Sequence, residues 1–509
     1  IGPKMSSALV AAGLDTFAKV ARATQAELRA AIEAAGMRFA PSLGTWSEQA
    51  ALAAAGDWEG LKSLQHRGQE SWGVWSPEGF AFRRSGLVSH SLEVYLATVP
   101  NGIKSGIGHV RYSTVGGEGY IQPVEVGGKL ALAHNGTIAN YKQLAKSLGL
   151  RGPAAGSDSI VAGHLLIRLV EGSGGDWVAA LARFSRMVSG SFCLAMALPD
   201  GTLMAARDPI GFRPLCIGID ESDDTYVVAS ESCALDALGA RMLRDLRPGE
   251  LVVLSDGGVE NHRFSEPLGK GVCSFEYVYF AHPSSVIDGV SVYEVRKRLG
   301  RLMAGRLHAE ADVVVPIPES ARPAALGLSE ASGIPMEEAL VKDRYLQKGR
   351  MRGFVEPDHA VRAEVARWIV PVKRAIEGKR VVLVDDSVVR GVTARIVIES
   401  VRRAGARSVV LVSTFPPILH PCMMGMDFPD REELIAHRAA VAAAARGGTL
   451  LEEIAREIGA DSVLFSTPED VAKAIGKKES ELCFSCVTGD YGAMMDLPLG
   501  IPRKEFKGV

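Results

Sequence analysis

A strand, two adjacent carboxylates, a glycine-containing turn and the start of a helix follow one another in residues 381–398, VVLVDDSVVRGVTARIVI. Residues 381–384 are valine or leucine, which predicts a buried parallel strand. An apolar spacing of three to four residues resumes at Ala394, so we expect the turn to lie at a helix N-terminus. Unpaired backbone N–H groups and the helix dipole favour a phosphate there, and Gly391 lets the backbone approach it closely. The order of these elements therefore predicts a phosphate site.

The two carboxylates of this segment predict a second part of the same ligand. Asp385 and Asp386 follow the strand directly, which suits sugar hydroxyls or a Mg²⁺-linked ligand better than phosphate itself. Thr393 adds a hydroxyl donor. The alternative is an ordinary strand-to-helix turn with an acidic N-cap, but Asp-Asp-Ser followed by Arg-Gly-x-Thr is more specific than a lone glycine motif. We therefore expect one site for a phosphate and a ribose.

This turn resembles the phosphoribosyl pyrophosphate (PRPP) loop of type I phosphoribosyltransferases. From about Leu61 onward the chain resembles one family of them, the amidophosphoribosyltransferases, which open de novo purine synthesis. The resemblance implies conversion of PRPP, glutamine and water to 5-phosphoribosylamine, pyrophosphate and glutamate. It rests on seven further motifs: LQHRGQE at 64–70, IGHVRYST at 107–114, AHNG at 133–136, GSDS at 156–159, ARDPIGFRP at 206–214, DVVVPIPES at 312–320 and KDRY at 342–345.

The resemblance implies roles for residues around the PRPP loop. Asp385 and Asp386 would hold the ribose hydroxyls and Mg²⁺. Displacing pyrophosphate creates a highly charged leaving group that needs cations, and Lys342 and Arg344 would supply them on a mobile lid, although the lid could instead be a solvated basic loop. The pyrophosphate loop would comprise Pro318, Glu319 and Ser320, and the 5-phosphate cradle Ser387, Val388, Val389, Arg390, Gly391, Val392 and Thr393.

Two departures from the family pattern concern this site. Val392 stands where relatives commonly carry a second threonine, which removes one hydroxyl contact. The lid, with LQKGRMRG between Tyr345 and Phe354, is longer than the commonest family form.

The glutaminase half carries the expected recognition groups. Arg111 would clamp the α-carboxylate of glutamine and Asp158 its α-amine. Asn135 and the backbone N–H of Gly136 would form the oxyanion hole. Each residue alone is common on protein surfaces, but their joint presence in these motifs favours the functional interpretation.

The glutaminase nucleophile is missing. Relatives begin with a Cys-Gly-Ile strand whose thiolate attacks the amide, whereas no cysteine precedes Cys193 here. We expect residues 1–60 to replace that strand, so that the sandwich lacks a strand and only ammonia-dependent transfer survives. The chain also starts with Ile1 instead of methionine, which suggests a chimera or a truncated gene model, with a natural fusion as the alternative.

Four of the seven cysteines match the iron–sulfur branch of the family. Cys483 and Cys486 form a CxxC pair, whose spacing alone fits a zinc half-site, a redox pair or part of an iron–sulfur site. The resemblance adds Cys273 and Cys422 and implies a structural [4Fe–4S] cluster, with zinc as the alternative. The others, Cys193, Cys216 and Cys233, lie in apolar or small-residue contexts typical of buried core cysteines.

Length and composition predict a cytoplasmic multidomain enzyme. The 509 residues suggest about three domains. A net charge of −2 gives no global bias toward nucleic acid or membrane, and no apolar stretch is long enough to span a bilayer. We also find no secretory signal.

We predict three regions and a mixed α/β fold. Residues 1–60 form a small all-α segment that resembles a truncated helix-hairpin-helix unit; DNA binding is the less favoured of its roles, beside a packing module. It has an N-cap at Thr24 with Glu27 in capping-box position, and stops at Gly13 and Gly36. Residues 61–267 form an incomplete N-terminal-nucleophile α/β/β/α sandwich, a type 2 glutamine amidotransferase domain. Residues 268–509 form a type I phosphoribosyltransferase domain with a parallel sheet and a C-terminal tail.

A regulator is the alternative to an enzyme. A PRPP-sensing or nucleic-acid-binding protein would keep the loop but would not need Arg111, Asn135, Asp158 or Lys342. The resemblance further implies a homotetramer or homodimer. We therefore expect PRPP and glutamine or ammonia as partners, and neither a membrane nor nucleic acid.

Overall fold

The computed structural model describes residues 9, 11–14, 23–34, 57–100, 103–112, 120–222, 224–255, 258–268, 271–342, 366–426 and 430–492. In the N-terminal region, helix α1 spans Gln25–Ala34. Its capping box forms as predicted, since Thr24 N donates to Glu27 Oε2 at 2.7 Å and Glu27 N to Thr24 Oγ1 at 3.3 Å. Gly13 adopts a φ of 78° at the predicted stop, whereas Gly36 lies outside the described residues.

The first half contains a six-stranded antiparallel sheet with the order β12-β11-β7-β6-β5-β4. Its strands alternate with turn residues, as the sequence predicts. Side chains on one face, including Leu132 and Leu194, pack against helices through Leu165 and Phe184. The strands are β4 (Val124–Val126), β5 (Leu130–Ile138), β6 (Gly190–Ala197), β7 (Leu203–Arg207), β11 (Glu250–Ser255) and β12 (Gly258–Arg263).

The second β layer of this half is divided. It consists of two three-stranded antiparallel sheets, β2-β1-β3 and β10-β8-β9, and no strand among the described residues joins them. That the sandwich lacks one strand stays a prediction, because residues 35–56 lie outside the described residues. The strands are β1 (Ser71–Ser76), β2 (Phe80–Ser85), β3 (Ile107–Arg111), β8 (Cys216–Asp220), β9 (Thr225–Ala229) and β10 (Arg241–Asp245).

Helices cover both faces of the sandwich, which completes its layered architecture. They are α2 (Asp57–Ser63), α3 (Val88–Thr98), α4 (Tyr141–Leu148), α5 (Asp158–Glu171), α6 (Trp177–Met187) and α7 (Ser232–Leu238), with short 3₁₀ turns at Gln65–Arg67 and Gly152–Ala155.

The second half contains the predicted parallel sheet, in the order β16-β19-β20-β21. Its strands are β16 (Val313–Pro316), β19 (Arg380–Asp385), β20 (Ser408–Ser413) and β21 (Ser462–Phe465). Both faces are buried, because Val381 and Leu383 point into one apolar cluster and Val382 and Val384 into another. This explains why the strand sequences are continuously apolar rather than alternating.

Helices surround this sheet on both sides. They are α8 (Val292–Ala304), α9 (Arg322–Ser332), α10 (Lys373–Ile376), α11 (Val392–Arg403), α12 (Ile435–Arg446), α13 (Leu450–Ile458) and α14 (Pro468–Ile475). Helix α11 begins two residues before the predicted Ala394, because Gly391 with a φ of 82° already serves as its N-cap.

Small elements complete the second half. A π-helical turn spans Glu276–Phe280, and 3₁₀ turns lie at Arg431–Glu433 and Glu479–Glu481. Three two-stranded ribbons pair β13 (Val272–Cys273) with β22 (Leu482–Cys483), β14 (Val286–Ile287) with β15 (Val290–Ser291), and β17 (Leu340–Lys342) with β18 (Ile369–Pro371), and α15 (Ser485–Thr488) is the last described helix. No helix in the described ranges combines the length and apolar character needed to cross a membrane.

Candidate active sites

Four residues predicted to recognise glutamine line one cavity of about 130 Å³, called cavity A below. Arg111 is the last residue of β3, Asn135 and Gly136 lie on β5, and Asp158 opens α5. These elements come from different parts of the first half, and the fold brings their polar groups to one end of the sandwich. The structure therefore brings all four residues into one cavity.

Asp158 is held rigidly in cavity A. Its carboxylate accepts hydrogen bonds from the backbone N–H of Ile138 at 3.1 Å and of Ser159 at 2.8 Å. Arg111 is only 5% exposed. Burial lowers its pKa from the usual value, and the charges of Glu70 and Asp158 oppose that effect. A guanidinium and a carboxylate fixed in one buried cavity match the α-carboxylate and α-amine of an amino acid.

The strand that carries Asn135 and Gly136 has close contacts with two neighbouring segments. Gly136 has a φ of 150°, and a Cβ there would lie 2.2 Å from the carbonyl oxygen of Ser191 on β6, so only glycine fits. Next to it, His134 N donates to Gln122 Oε1 at 2.6 Å. Gln122 is a supporting residue that sequence reasoning missed, because it lies in a turn without any motif.

Cavity A also has a wall from the second half, which the sequence did not indicate. Gly425 and Met426 line it beside Asn135 and Gly136. No cysteine lines cavity A among the described residues. Cys193 pairs with Asn135 across β5 and β6, but it is not among the described residues that line cavity A.

A larger cavity of about 810 Å³, cavity B, lies at the carboxyl ends of β16 and β19. Predicted PRPP residues from three separate segments line this cavity. The carboxyl edge of the sheet is the position at which open α/β sheets bind ligands. Arg344 lies outside the described residues, while Lys342 ends β17 and contributes to the lining. The predicted residues that line it are Pro318, Glu319, Ser320, Lys342, Asp385, Asp386, Ser387, Val388, Val389, Arg390, Gly391, Val392 and Thr393.

The adjacent carboxylates of cavity B, Asp385 and Asp386, are in different environments. Ser320 Oγ and Ser387 Oγ both donate to Asp386, the latter at 3.0 Å. Burial raises the pKa of Asp385 well above its usual value, and the adjacent Asp386 charge raises it further. A cation or a set of hydroxyl donors is the partner that would relieve this repulsion.

The turn after the carboxylates is anchored by α12. Ile435 N donates to Val389 O at 2.9 Å, and Arg390 Nε donates to Glu433 Oε2 at 2.7 Å. The Arg390 side chain is thus committed to an ion pair with Glu433. Val392, the departure from the family pattern, is buried at the helix start and contributes an apolar side chain where a hydroxyl is common.

Four cysteines meet at a separate point, called the four-cysteine site: Cys273, Cys422, Cys483 and Cys486 line one small cavity. Ribbon β13–β22 brings Cys273 opposite Cys483. Burial raises the pKa of all four thiols. Among the described residues no three His, Cys, Asp or Glu side chains are arranged to hold a single metal ion.

A buried ionic network joins the two halves and was not predicted. Glu276 of the second half accepts from Arg67 and Arg213 of the first, each at 2.7 Å. Glu231 accepts from His66 Nε2 at 2.7 Å. His66 lines both cavities, so this network lies between them.

The chain is similar to known proteins of one family. A family model described as a glutamine amidotransferase domain matches residues 109–237. The chain is 40% identical over 449 residues to the amidophosphoribosyltransferase of Bacillus subtilis, covering 85% of this chain and 90% of the relative. It is 41% identical over 461 residues to that of Methanocaldococcus jannaschii, covering 85% and 93%.

Solved structures give the same result. The glutamine PRPP amidotransferase from B. subtilis, complexed with ADP and GMP, matches with a TM-score of 0.74 at 38% identity, covering 86% of this chain and 94% of that one. A structure described as the allosteric regulatory enzyme of purine biosynthesis matches with a TM-score of 0.74 at 37% identity, covering 87% and 95%.

Proposed function

This chain belongs to the amidophosphoribosyltransferase family, the pentosyltransferases that open purine biosynthesis, and we propose that it uses ammonia rather than glutamine as its nitrogen donor. The observation that carries the transferase part is cavity B. Three segments, 318–320, Lys342 and 385–393, line it together at the carboxyl edge of a parallel sheet. Such an edge suits a ligand with a phosphate, a sugar and a pyrophosphate.

The proposed reaction balances with ammonia alone. The nitrogen lone pair forms a bond to C1 of the ribose, while the bond from C1 to the pyrophosphate oxygen breaks and its electron pair leaves with pyrophosphate. The nitrogen then loses a proton, which gives 5-phosphoribosylamine. The turn at Gly391 would hold the 5-phosphate, and Lys342 would stabilise charge on the leaving group.

We propose Mg²⁺ as the metal of this site. Asp385 and Asp386 are adjacent carboxylates in a buried cavity, and Mg²⁺ typically takes one or two protein carboxylates together with substrate phosphates. The raised pKa of Asp385, caused by burial and by Asp386, fits a site completed by a cation. When bound, Mg²⁺ would neutralise charge on the pyrophosphate.

The ammonia part of the proposal rests on the first half. Cavity A keeps Arg111, Asn135, Gly136 and Asp158 but no cysteine among its described lining, and the sequence has none before Cys193. Burial and the Asp208 charge raise the pKa of Cys193 to about 12, so this thiol is a poor nucleophile. We therefore expect glutamine to bind in cavity A without being hydrolysed.

We also propose a [4Fe–4S] cluster at the four-cysteine site. Each thiolate of such a cluster binds a different iron atom, so its ligands need not converge on one point as zinc ligands must. Four described cysteines line one cavity, and no three of them are placed to hold a single metal ion, which supports the cluster over zinc. Iron and acid-labile sulfide in anaerobically purified protein test this; stoichiometric zinc without iron would refute it.

The experiment for the transferase is pyrophosphate release from PRPP with Mg²⁺ and ammonium chloride. We expect turnover that Asp386→Ala abolishes. No turnover, together with tight binding of DNA, would instead favour the regulator. We further propose a homo-oligomer, which sedimentation tests. We also propose a cytoplasmic location, because none of the seven cysteines, all of which are described, forms a disulfide, as is usual in reducing compartments.

A further inference from the structure

We infer that residues 422–426 couple the four-cysteine site to the oxyanion hole of cavity A, so that cluster binding positions Gly136. This inference rests on the proposed cluster and the proposed glutamine site. It assigns a positioning role to a segment of the second half that neither site alone explains. Three contacts carry it, beginning at the sulfur of Cys422.

The first contact is at Cys422. Its Sγ accepts hydrogen bonds from the backbone N–H groups of Met424 and Met426, each at 3.4 Å. These two bonds wrap the segment around the sulfur. A sulfur bound to iron would be fixed in position, and the two N–H groups that donate to it would be fixed with it. Loading the cluster therefore tightens this loop.

The second contact joins the loop to the strand beside the oxyanion hole. Ser191 Oγ donates to Met424 O at 2.8 Å. Ser191 lies on β6 and pairs with Thr137 on β5, the residue after Gly136. The loop is thereby attached to the sheet at the position of the proposed oxyanion donor.

The third contact is between Gly425 and Gly136 themselves. Gly425 has a φ of 97°, and a Cβ there would lie 2.9 Å from Thr137 Oγ1 and 3.1 Å from the carbonyl carbon of Gly136. Arg213 Nη2 also donates to Gly425 O. The Gly425 backbone therefore lies against the backbone of Gly136 and the short side chain of Thr137, so a shift of the loop presses on this part of β5. Oxyanion donors must hold their geometry within about 0.5 Å, so such a shift reaches the bound amide.

Glutamine binding is the readout, because it does not depend on turnover. We would titrate L-glutamine into anaerobic, cluster-loaded protein by calorimetry. Arg111→Ala should abolish binding, and Gly425→Ala should weaken it about tenfold, within the usual range of coupling between two sites. Gly447→Ala is the matched control, because Gly447 has a φ of 76° and a Cβ added there would meet no atom within 4 Å. It should bind like the wild type.

Removing the cluster tests the coupling most directly. In the wild type, anaerobic iron chelation should weaken glutamine binding by about the same factor as Gly425→Ala, and chelating the Gly425→Ala protein should add little, since both changes act through one segment. Ser191→Ala, which removes only one hydrogen bond, replaces Gly425→Ala if that variant does not fold. Equal affinities with and without the cluster, or fully additive losses, would overturn the coupling while leaving the cluster intact. Protein without iron would overturn the cluster and the coupling together.

Discussion

Arg67 and Glu276 form a bidentate ion pair across the boundary between the two halves. Arg67 Nη2 donates to Glu276 Oε1 at 2.7 Å and Arg67 Nη1 to Glu276 Oε2 at 3.1 Å. Their side chains are 6% and 1% exposed. Burial alone would lower the pKa of Arg67, but the charges of Glu276 and Glu231 outweigh it and raise the pKa. The boundary between the two halves therefore contains buried charges that stabilise each other's ionised forms.

Removing Glu276 should destabilise the whole chain. Glu276→Ala removes the carboxylate that Arg213 and Arg67 share, and Arg67 keeps only Glu231 as a partner in this network. Breaking a buried ion pair typically costs about 3–5 kcal/mol. Denaturant unfolding measures the loss. The surface pair of Lys129 and Glu171, 63% and 56% exposed, gives the control, and Glu171→Ala should cost about 1 kcal/mol or less. Equal losses for the two variants would show that the network does not stabilise the boundary.

The same network predicts sensitivity to acid. Burial would raise the pKa of Glu276, but Arg67 and Arg213 lower it below the ordinary 4.5. A lowered pKa stabilises the fold above the unfolded value, and that stability is lost as pH falls through the folded pKa. Unfolding free energy should therefore drop below about pH 4.5. In Glu276→Gln the slope of unfolding free energy against pH should be shallower. An unchanged slope would show that Glu276 does not cause the acid sensitivity.

Replacing Asp385 should lower activity without lowering stability. Burial and the Asp386 charge raise its pKa, so its ionised form costs stability as pH rises through the folded pKa. Asp385→Asn in metal-free protein at pH 7 should melt at the same or a higher temperature than the wild type. Ammonia-dependent pyrophosphate release should nevertheless fall at least about 100-fold. A strongly destabilised variant, or one with full activity, would contradict the proposed role.

Gly391 should be irreplaceable for PRPP binding. A Cβ there would lie 2.5 Å from Ile435 Cδ1, and the φ of 82° strains any other residue by about 1–3 kcal/mol. Gly391→Ala should raise KM for PRPP and lower the melting temperature. Gly447→Ala shares the backbone strain without the clash, so it should lose stability and keep its KM. Similar KM values for both variants would mean that the turn does not hold the phosphate.

Local order within each site could be predicted from the sequence. The strand at 380–385, the adjacent carboxylates and Gly391 are consecutive, so residue types alone specify a strand, an edge and a helix start. The capping box at Thr24 and Glu27 is local for the same reason. The residue types at 381–398 also predict a phosphate and a ribose, whereas the roles of the other segments required the family resemblance.

Contacts between distant segments could not be predicted. Arg67 and Glu276 are 209 positions apart, and neither motif indicates a partner for its charge. The approach of Gly425 to Gly136 depends on how the halves pack, which one sequence does not encode in any local pattern. The sequence places Arg390 in the 5-phosphate turn, but its ion pair with Glu433 depends on how the 3₁₀ turn before α12 packs.

The central claim is that cavity B transfers nitrogen from ammonia while cavity A binds glutamine without hydrolysing it. Pyrophosphate release from PRPP and Mg²⁺ tests it directly, measured on one preparation with ammonium chloride, with freshly purified glutamine, and with neither. We predict release with ammonium and, with glutamine, no more than the rate without a donor. Release driven by glutamine, with glutamate formed in step with pyrophosphate, would contradict the account.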